Sequence, residues 1–244
     1  MGRPWIMQFE SNLECAVLVK RYKRFLADIK LSNGEVITIH CPNTGSMMNC
    51  QHPGNKVWYS VSNKKTRKYS GTWQFIEVNN GELVGVNTGL ANKLVVEAIE
   101  NRVINQFPNF SKLRTEVPYG NERNSRIDIL LEEDSGSECY IEVKNVSLGM
   151  SRGVGLFPDA ITTRGQKHLK ELIAMKKTDA RAVLFFCVQH TGIRSVSPAE
   201  NIDPIYTKLM KEAMAVGVEF IAYKTAIDTK LSRIELGQEL PVKV

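Results

Sequence analysis

No stretch of the 244 residues approaches the roughly 20 consecutive apolar residues that a membrane-spanning helix needs. The five cysteines (Cys15, Cys41, Cys50, Cys139 and Cys187) are odd in number, widely spaced and include no Cys-x-x-Cys pair. That scatter argues against a disulfide framework and fits reduced thiols, so a cytoplasmic protein is expected. The segment Met1 to Gln8 lacks the apolar core of a signal peptide. Ile6 stands where a myristoylation signal carries Ser or Thr, and Met7 serves equally well as a start. There is no Walker-type loop, no dinucleotide fingerprint and no Gly-x-Ser-x-Gly element, so the common nucleotide, nicotinamide and serine-hydrolase chemistries lack their scaffolds. His40-Cys41 and Cys50-x-His52 supply four residues of zinc-ligand type, but not in the tight pairs that zinc sites use. A turn through Asn43-Thr44-Gly45-Ser46, with backbone N–H groups open to a phosphate, is expected there instead.

What the chain does have is an uneven positive charge. The net charge is +6, and residues 1–85 hold eleven Lys/Arg against six Asp/Glu, while residues 86–244 hold twenty-one against twenty. The positive field belongs to the first third, which points towards a polyanion.

The texture changes at the same place. Residues 13–86 read as about five short strands with Gly, Pro and Asn turns, the pattern of a small OB-like barrel. From Asn92 to Asn105 the apolar residues Leu94, Val95, Ala98, Ile99 and Val103 fall at helical spacing, with Asn92 as the expected N-cap. Strands near 114–118, 126–131 and 139–146 follow, then a helix at 162–177, the apolar strand Ala182–Val188, a helix at 203–216 and a last strand through Val218–Tyr223. Near-continuous apolar strands between helices imply a mixed sheet covered on both faces. The expectation is an α+β protein of two domains, 1–86 all-β and 87–244 α/β.

One hairpin carries the chemistry. Arg126-Ile127-Asp128-Ile129-Leu130 and Tyr140-Ile141-Glu142-Val143-Lys144 flank a charged Gly/Ser turn. Side chains alternate along a strand, so Glu142 and Lys144 share a face with Tyr140, and Asp128 can stand beside Glu142 across the ladder. Two carboxylates so placed suit a hard cation such as Mg²⁺ or Mn²⁺, with an ammonium at hand to act on a water or on developing charge. A solvated hairpin with an incidental Glu-Lys pair is the competing reading.

Two basic clusters stand in the first domain. Lys20, Arg21, Lys23 and Arg24 surround Tyr22 and precede Phe25; Lys64, Lys65, Arg67 and Lys68 precede Tyr69 and Trp73. Cations interleaved with aromatics suit a groove that follows phosphates and stacks bases. Alternatively, Phe25 and Trp73 belong to the core and the cations only solubilise. On the helix near 162–177, Arg164, Lys167, His168 and Glu171 share one face and Leu169, Leu172 and Ile173 another.

The order of elements, with Asp128 and Glu142-x-Lys144 on consecutive strands, resembles the PD-(D/E)xK nuclease core. Longer strings extend the likeness. Tyr22-Lys23-Arg24-Phe25-Leu26, His40-Cys41-Pro42-Asn43-Thr44-Gly45, Tyr140-Ile141-Glu142-Val143-Lys144, Phe157-Pro158-Asp159-Ala160 and Arg164-Gly165-Gln166-Lys167-His168-Leu169 resemble the sugar fermentation stimulation protein A family. The resemblance covers nearly the whole chain. It implies a DNA-binding protein with an OB-like N-terminal domain, a restriction-endonuclease-like C-terminal domain and a link to sugar metabolism. It also implies Asp128 and Glu142 as metal ligands, Lys144 as the catalytic lysine, Glu97 as a further acidic ligand, and Arg164 or His168 as a contact to the scissile phosphate. Ile127 stands where the motif's name has proline. Two functions are expected to compete, a metal-dependent phosphodiesterase and a non-catalytic DNA-binding regulator of sugar-metabolism genes. Single-stranded and duplex DNA both remain open as partners, as does a homodimer.

Overall fold

The structure, a computed structural model, describes residues 7–120 and 125–244, so the reading of Met1 to Ile6 lies outside the described residues. The chain opens with a short strand, β1 (Met7–Gln8). A barrel follows, built from β2 (Glu14–Tyr22), β3 (Leu26–Lys30), β4 (Val36–His40), β5 (Lys56–Val61) and β6 (Gly71–Val78), with β7 (Glu82–Gly85) added to β6. The neighbours run β4-β3-β2-β5-β6-β7, and a parallel bridge from His40 to Thr72 closes the barrel between β4 and β6. Leu18, Ile29, Ile39, Val57, Trp73 and Ile76 fill the barrel, each almost wholly buried.

The second unit contains α1 (Ala91–Glu100), β8 (Lys112–Tyr119), β9 (Ser125–Glu132), β10 (Glu138–Val146), β11 (Leu148–Gly149), β12 (Val154–Phe157), α2 (Thr163–Lys176), β13 (Arg181–Val188), β14 (Ser195–Pro198), α3 (Pro204–Ala215), β15 (Glu219–Asp228) and β16 (Arg233–Leu240). Its main sheet runs β1-β16-β15-β13-β10-β9-β8, and β11, β12 and β14 make a small second sheet. β10, β13 and β15 are parallel, while the flanking pairs are antiparallel, so the sheet is mixed. β13 lies in the middle and is buried from Ala182 to Val188, as a strand covered on both faces must be. The α1 side packs Leu94, Val95 and Ile99 on Ile141, Val183 and Phe185; the α2 and α3 side packs Leu169, Leu172 and Met210 on Leu184 and Phe186.

Helix ends follow from side-chain caps. Thr162 Oγ1 accepts the Gly165 N–H at 3.0 Å and starts α2, while Asp203 accepts the Tyr206 N–H at 2.9 Å with Pro204 in the first turn of α3. The expected cap at Asn92 is different. α1 already begins at Ala91, and the Asn92 side chain turns away to the neighbouring strand.

The expected division at residue 86 is crossed twice. β1 pairs with β16 in the second sheet, Met7 opposite Ile234. Val84 of β7 forms an antiparallel bridge with His190, reinforced by Gly85 N–H to the Gln189 carbonyl at 2.8 Å and Thr191 N–H to the Leu83 carbonyl at 2.9 Å. Phe75 of the barrel belongs to the core cluster on the α1 side of the sheet.

Candidate metal and nucleic-acid site

β9 and β10 pair from Glu132/Glu138 to Ile129/Ile141, and there the ladder stops. One step on, Asp128 and Glu142 would be opposite each other. Instead the Asp128 carboxylate occupies the gap, its Oδ2 accepting the Val143 N–H at 2.7 Å and its Oδ1 accepting Asn92 Nδ2 at 2.8 Å. A side chain thus replaces the carbonyl that a continued ladder would offer to Val143, and the start of α1 is tied to the site.

Glu142 is 1% exposed. Its Oε1 meets Lys144 Nζ at 2.5 Å and also His168 Nδ1, while its buried Oε2 has no hydrogen-bond partner among the described residues. His168 comes from α2, where the Arg164 Nε–H reaches its Nε2 at 3.4 Å. The neutral imidazole that satisfies both bonds carries its proton on Nδ1, donating to Glu142 and accepting from Arg164. Lys144 Nζ lies 3.4 Å from the same Nδ1. Glu142, Lys144, His168 and Arg164 therefore form one connected group, and Asp128 is tied to the same strand through the Val143 amide.

The electrostatics divide the two carboxyls. Burial pushes the Asp128 carboxyl above its ordinary value, and the Glu142 carboxylate adds to this against the hydrogen bonds from Val143 and Asn92 and the charge of Lys144. Burial works upward on Glu142 too, but the hydrogen bond from His168 and the charge of Lys144 outweigh it and hold the carboxyl below the usual range. The surroundings favour the carboxylate form more at Glu142 than at Asp128. The donor set is hard oxygen, and Mg²⁺ commonly sits on one or two carboxylates while keeping waters and substrate phosphates. A cation of that class fits these residues.

Glu97 does not join them. Its carboxyl is pushed up by burial and by the carboxylates of Glu235 and Glu100, and the α1 residue that reaches Asp128 is Asn92. Asn92 and Glu97 stand five residues apart on α1, about 140° around the helix. Both line a cleft of about 810 Å³ between α1 and β8, with Lys93, Thr115 and Glu116. Asn92 has no chemical signature in the sequence beyond its place near a helix start, which is why capping was the natural reading. Glu171, one turn past His168, accepts Ser125 Oγ at 2.6 Å and lies 3.7 Å from Lys167, and so ties α2 to the start of β9. Two phenols of the same region, Tyr119 and Tyr206, are buried.

On the barrel, the basic clusters divide. Arg21 is a clamp. Its guanidinium donates to the carbonyls of Arg24, Asn43 and Gly45, each at 2.9 Å, and to Gln51 Oε1 at 3.2 Å. Those bonds hold the guanidinium against protein carbonyls, a structural role beside the expected contact with phosphate. Lys20 pairs with Asp28 at 3.5 Å and lies 5.3 Å from the Tyr22 ring, and the Tyr22 hydroxyl bonds Asp28 Oδ1. Arg67 bonds Thr72 Oγ1 at 3.0 Å, and Lys68 lies over Tyr69. Lys23, Arg24, Lys64 and Lys65 are exposed. The two aromatics in question part company, with Trp73 fully buried and Phe25 45% exposed. In the loop after β4, Cys41 Sγ faces the Asn43 carbonyl and Met47, Cys50 Sγ faces the Ser147 carbonyl, and Ser46 Oγ bonds Asp159 Oδ2 at 2.8 Å, so the loop is a contact between the domains. Among the described residues no three His, Cys, Asp or Glu side chains converge as a metal cage.

Comparison with known proteins agrees with this architecture. Residues 19–86 match the family model of the SfsA N-terminal OB domain, and residues 89–231 that of the sugar fermentation stimulation protein RE domain. A sugar fermentation stimulation protein homolog of Shewanella halifaxensis is 53% identical over 238 residues, covering 98% of this chain and 100% of the relative; one from Shewanella frigidimarina is 55% identical over 228 residues, covering 93% and 97%. The solved structure of Pyrococcus furiosus SfsA in complex with Ca²⁺ matches 98% of both chains with a TM-score of 0.86 at 25% identity. With both domain models matched end to end and relatives above half identity along almost its full length, the chain belongs to the sugar fermentation stimulation protein family.

Proposed function

We propose that this protein binds DNA largely without regard to sequence and that its second domain is a Mg²⁺- or Mn²⁺-dependent phosphodiesterase. The observation that carries the reading is the split hairpin, which holds the Asp128 and Glu142 carboxylates side by side with Lys144 and His168 in contact with the second. A protein that only bound a polyanion would gain nothing from two carboxylates at its centre. The Ca²⁺ held by the Pyrococcus furiosus relative supports a hard cation for the fold.

The cation, when bound to Asp128 and Glu142, polarises a phosphoryl oxygen and lowers the pKa of a water beside it. The chain's own residues do the rest. Lys144, in contact with Glu142, would donate a hydrogen bond to the attacking water or to the non-bridging oxygen that gains charge. His168 keeps Glu142 in one orientation through Nδ1. Arg164, exposed at the start of α2, presents a planar donor fork to the phosphate.

The test is cleavage of single-stranded, duplex and flap DNAs with Mg²⁺ or Mn²⁺. Chelator-sensitive cutting is expected, lost in Asp128→Asn and Glu142→Gln, and lost in Lys144→Ala with metal binding spared. The family's description as a stimulator of sugar fermentation favours a second reading, a regulator of sugar-metabolism genes that binds DNA and does not cut. A wild type that never cuts moves the conclusion to that reading, and cutting that persists in Asp128→Asn refutes the assignment of the metal site.

A further inference from the structure

We infer that exposed side chains running from the Lys23-Arg24-Phe25 turn across the domain seam to the start of α2 form a track for single-stranded DNA, with Phe25 as its stacking platform. This rests on the proposed DNA function and adds the form of the strand. Phe25 is 45% exposed at the tip between β2 and β3, while Leu26 and Ala27 beside it supply the core. Its backbone is fixed, since its carbonyl accepts the Cys41 N–H at 2.8 Å and the preceding carbonyl accepts Arg21 at 2.9 Å. Lys23 and Arg24 both hold left-handed φ values, 50° and 63°, which non-glycine residues adopt at a cost. Both are exposed, and neither is ion-paired among the described residues.

A chain of hydrogen bonds leads from that tip to the start of α2. Arg21 joins the Arg24 carbonyl to those of Asn43 and Gly45, and Ser46 bonds Asp159, four residues before α2 begins. Thr162 N–H is held by Asp203 at 3.0 Å, so Ala160-Ile161 stands between two anchors. Along this chain Met48 is 43% exposed and Ile161 72%. One turn further is Arg164, in contact with His168. Asp159, the carboxylate on this path, is occupied by Ser46.

Three exposed apolar side chains on rigid backbone, interspersed with cations, match a ligand that offers apolar faces and phosphates together. A single strand does so at every nucleotide; a duplex hides the faces of its bases in the stack. The hydrogen-bonded chain places the stacked end and Arg164 at the start of α2 on one continuous path.

Anisotropy titrations of the full-length protein with a labelled oligo-dT and with a duplex of equal length, at several salt concentrations, test this. Phe25→Ala is expected to weaken oligo-dT binding by about 5- to 150-fold, the range for one stacked base, without changing the salt slope, because no cation is removed. Phe25→Tyr should keep wild-type affinity, and the duplex should not distinguish the variants. Unchanged oligo-dT affinity in Phe25→Ala overturns the inference, as does an equal loss on the duplex. If the wild type binds neither form, the proposed DNA function fails with it; if it binds oligo-dT and Phe25→Ala binds equally, the track alone fails.

Discussion

At the scale of single residues, Asp128 is oriented before any ligand arrives, because Asn92 and the Val143 amide each hold one of its oxygens. Asn92→Ala removes one of the two and leaves the carboxylate free to rotate. Mn²⁺ affinity measured by calorimetry should fall by about 10- to 100-fold, the usual effect of losing a residue that supports a ligand, with the folded state intact by circular dichroism. Arg21 has the opposite profile. Arg21→Ala removes three hydrogen bonds to the loop around Asn43–Gln51 and one to the Arg24 carbonyl, and should cost about 1–3 kcal/mol in urea denaturation. A pure phosphate contact would leave stability unchanged. The difference between these residues and Asp128, Glu142 and Lys144 explains what was legible beforehand. A strand repeats every two residues, so the shared face of Glu142 and Lys144 is written in the local sequence. Arg21 meets partners up to 30 positions away and Asn92 a partner 36 away, and no local period carries that information.

Among the elements, α2 and α3 are coupled through one buried carboxylate. Asp203 caps α3 at Tyr206 N–H, holds Thr162 N–H at the head of α2 and accepts Gln166 Nε2. Burial acts to raise its pKa, yet the bonds from Thr162, Tyr206 and Gln166 prevail and hold the carboxyl below its ordinary value. With a depressed folded pKa, Asp203 stabilises fully above its unfolded value of about 3.9, and that contribution disappears as pH falls through the lower folded value. Urea denaturation of the wild type below about pH 4 should show this loss, and Asp203→Ala should remove it together with about 0.5–2 kcal/mol at neutral pH for the lost cap. An acid limb identical in the variant would contradict the assignment. Helix positions were readable because caps and apolar spacing are local; the start of α1 was not, since the polar residue at its head serves a neighbouring strand.

Over the whole molecule, the barrel and the sheet are built into each other. β1 enters the second sheet, β7 pairs beside His190, and Phe75 packs in the core under α1. Differential scanning calorimetry should therefore show one cooperative unfolding transition, and two resolved transitions would contradict the shared core. The two-domain texture was legible from composition, but these junctions depend on contacts between the ends of the chain. The same union holds the basic barrel at a fixed place beside the split hairpin, and the function assigned to that hairpin depends on its holding a cation. Titration calorimetry of Mn²⁺ into the wild type, Asp128→Asn, Glu142→Gln and Lys144→Ala tests this most directly. The account predicts saturable binding by the wild type and Lys144→Ala and none by the two carboxylate variants; a wild type that takes up no Mn²⁺, or a Glu142→Gln variant that binds it equally well, would contradict it.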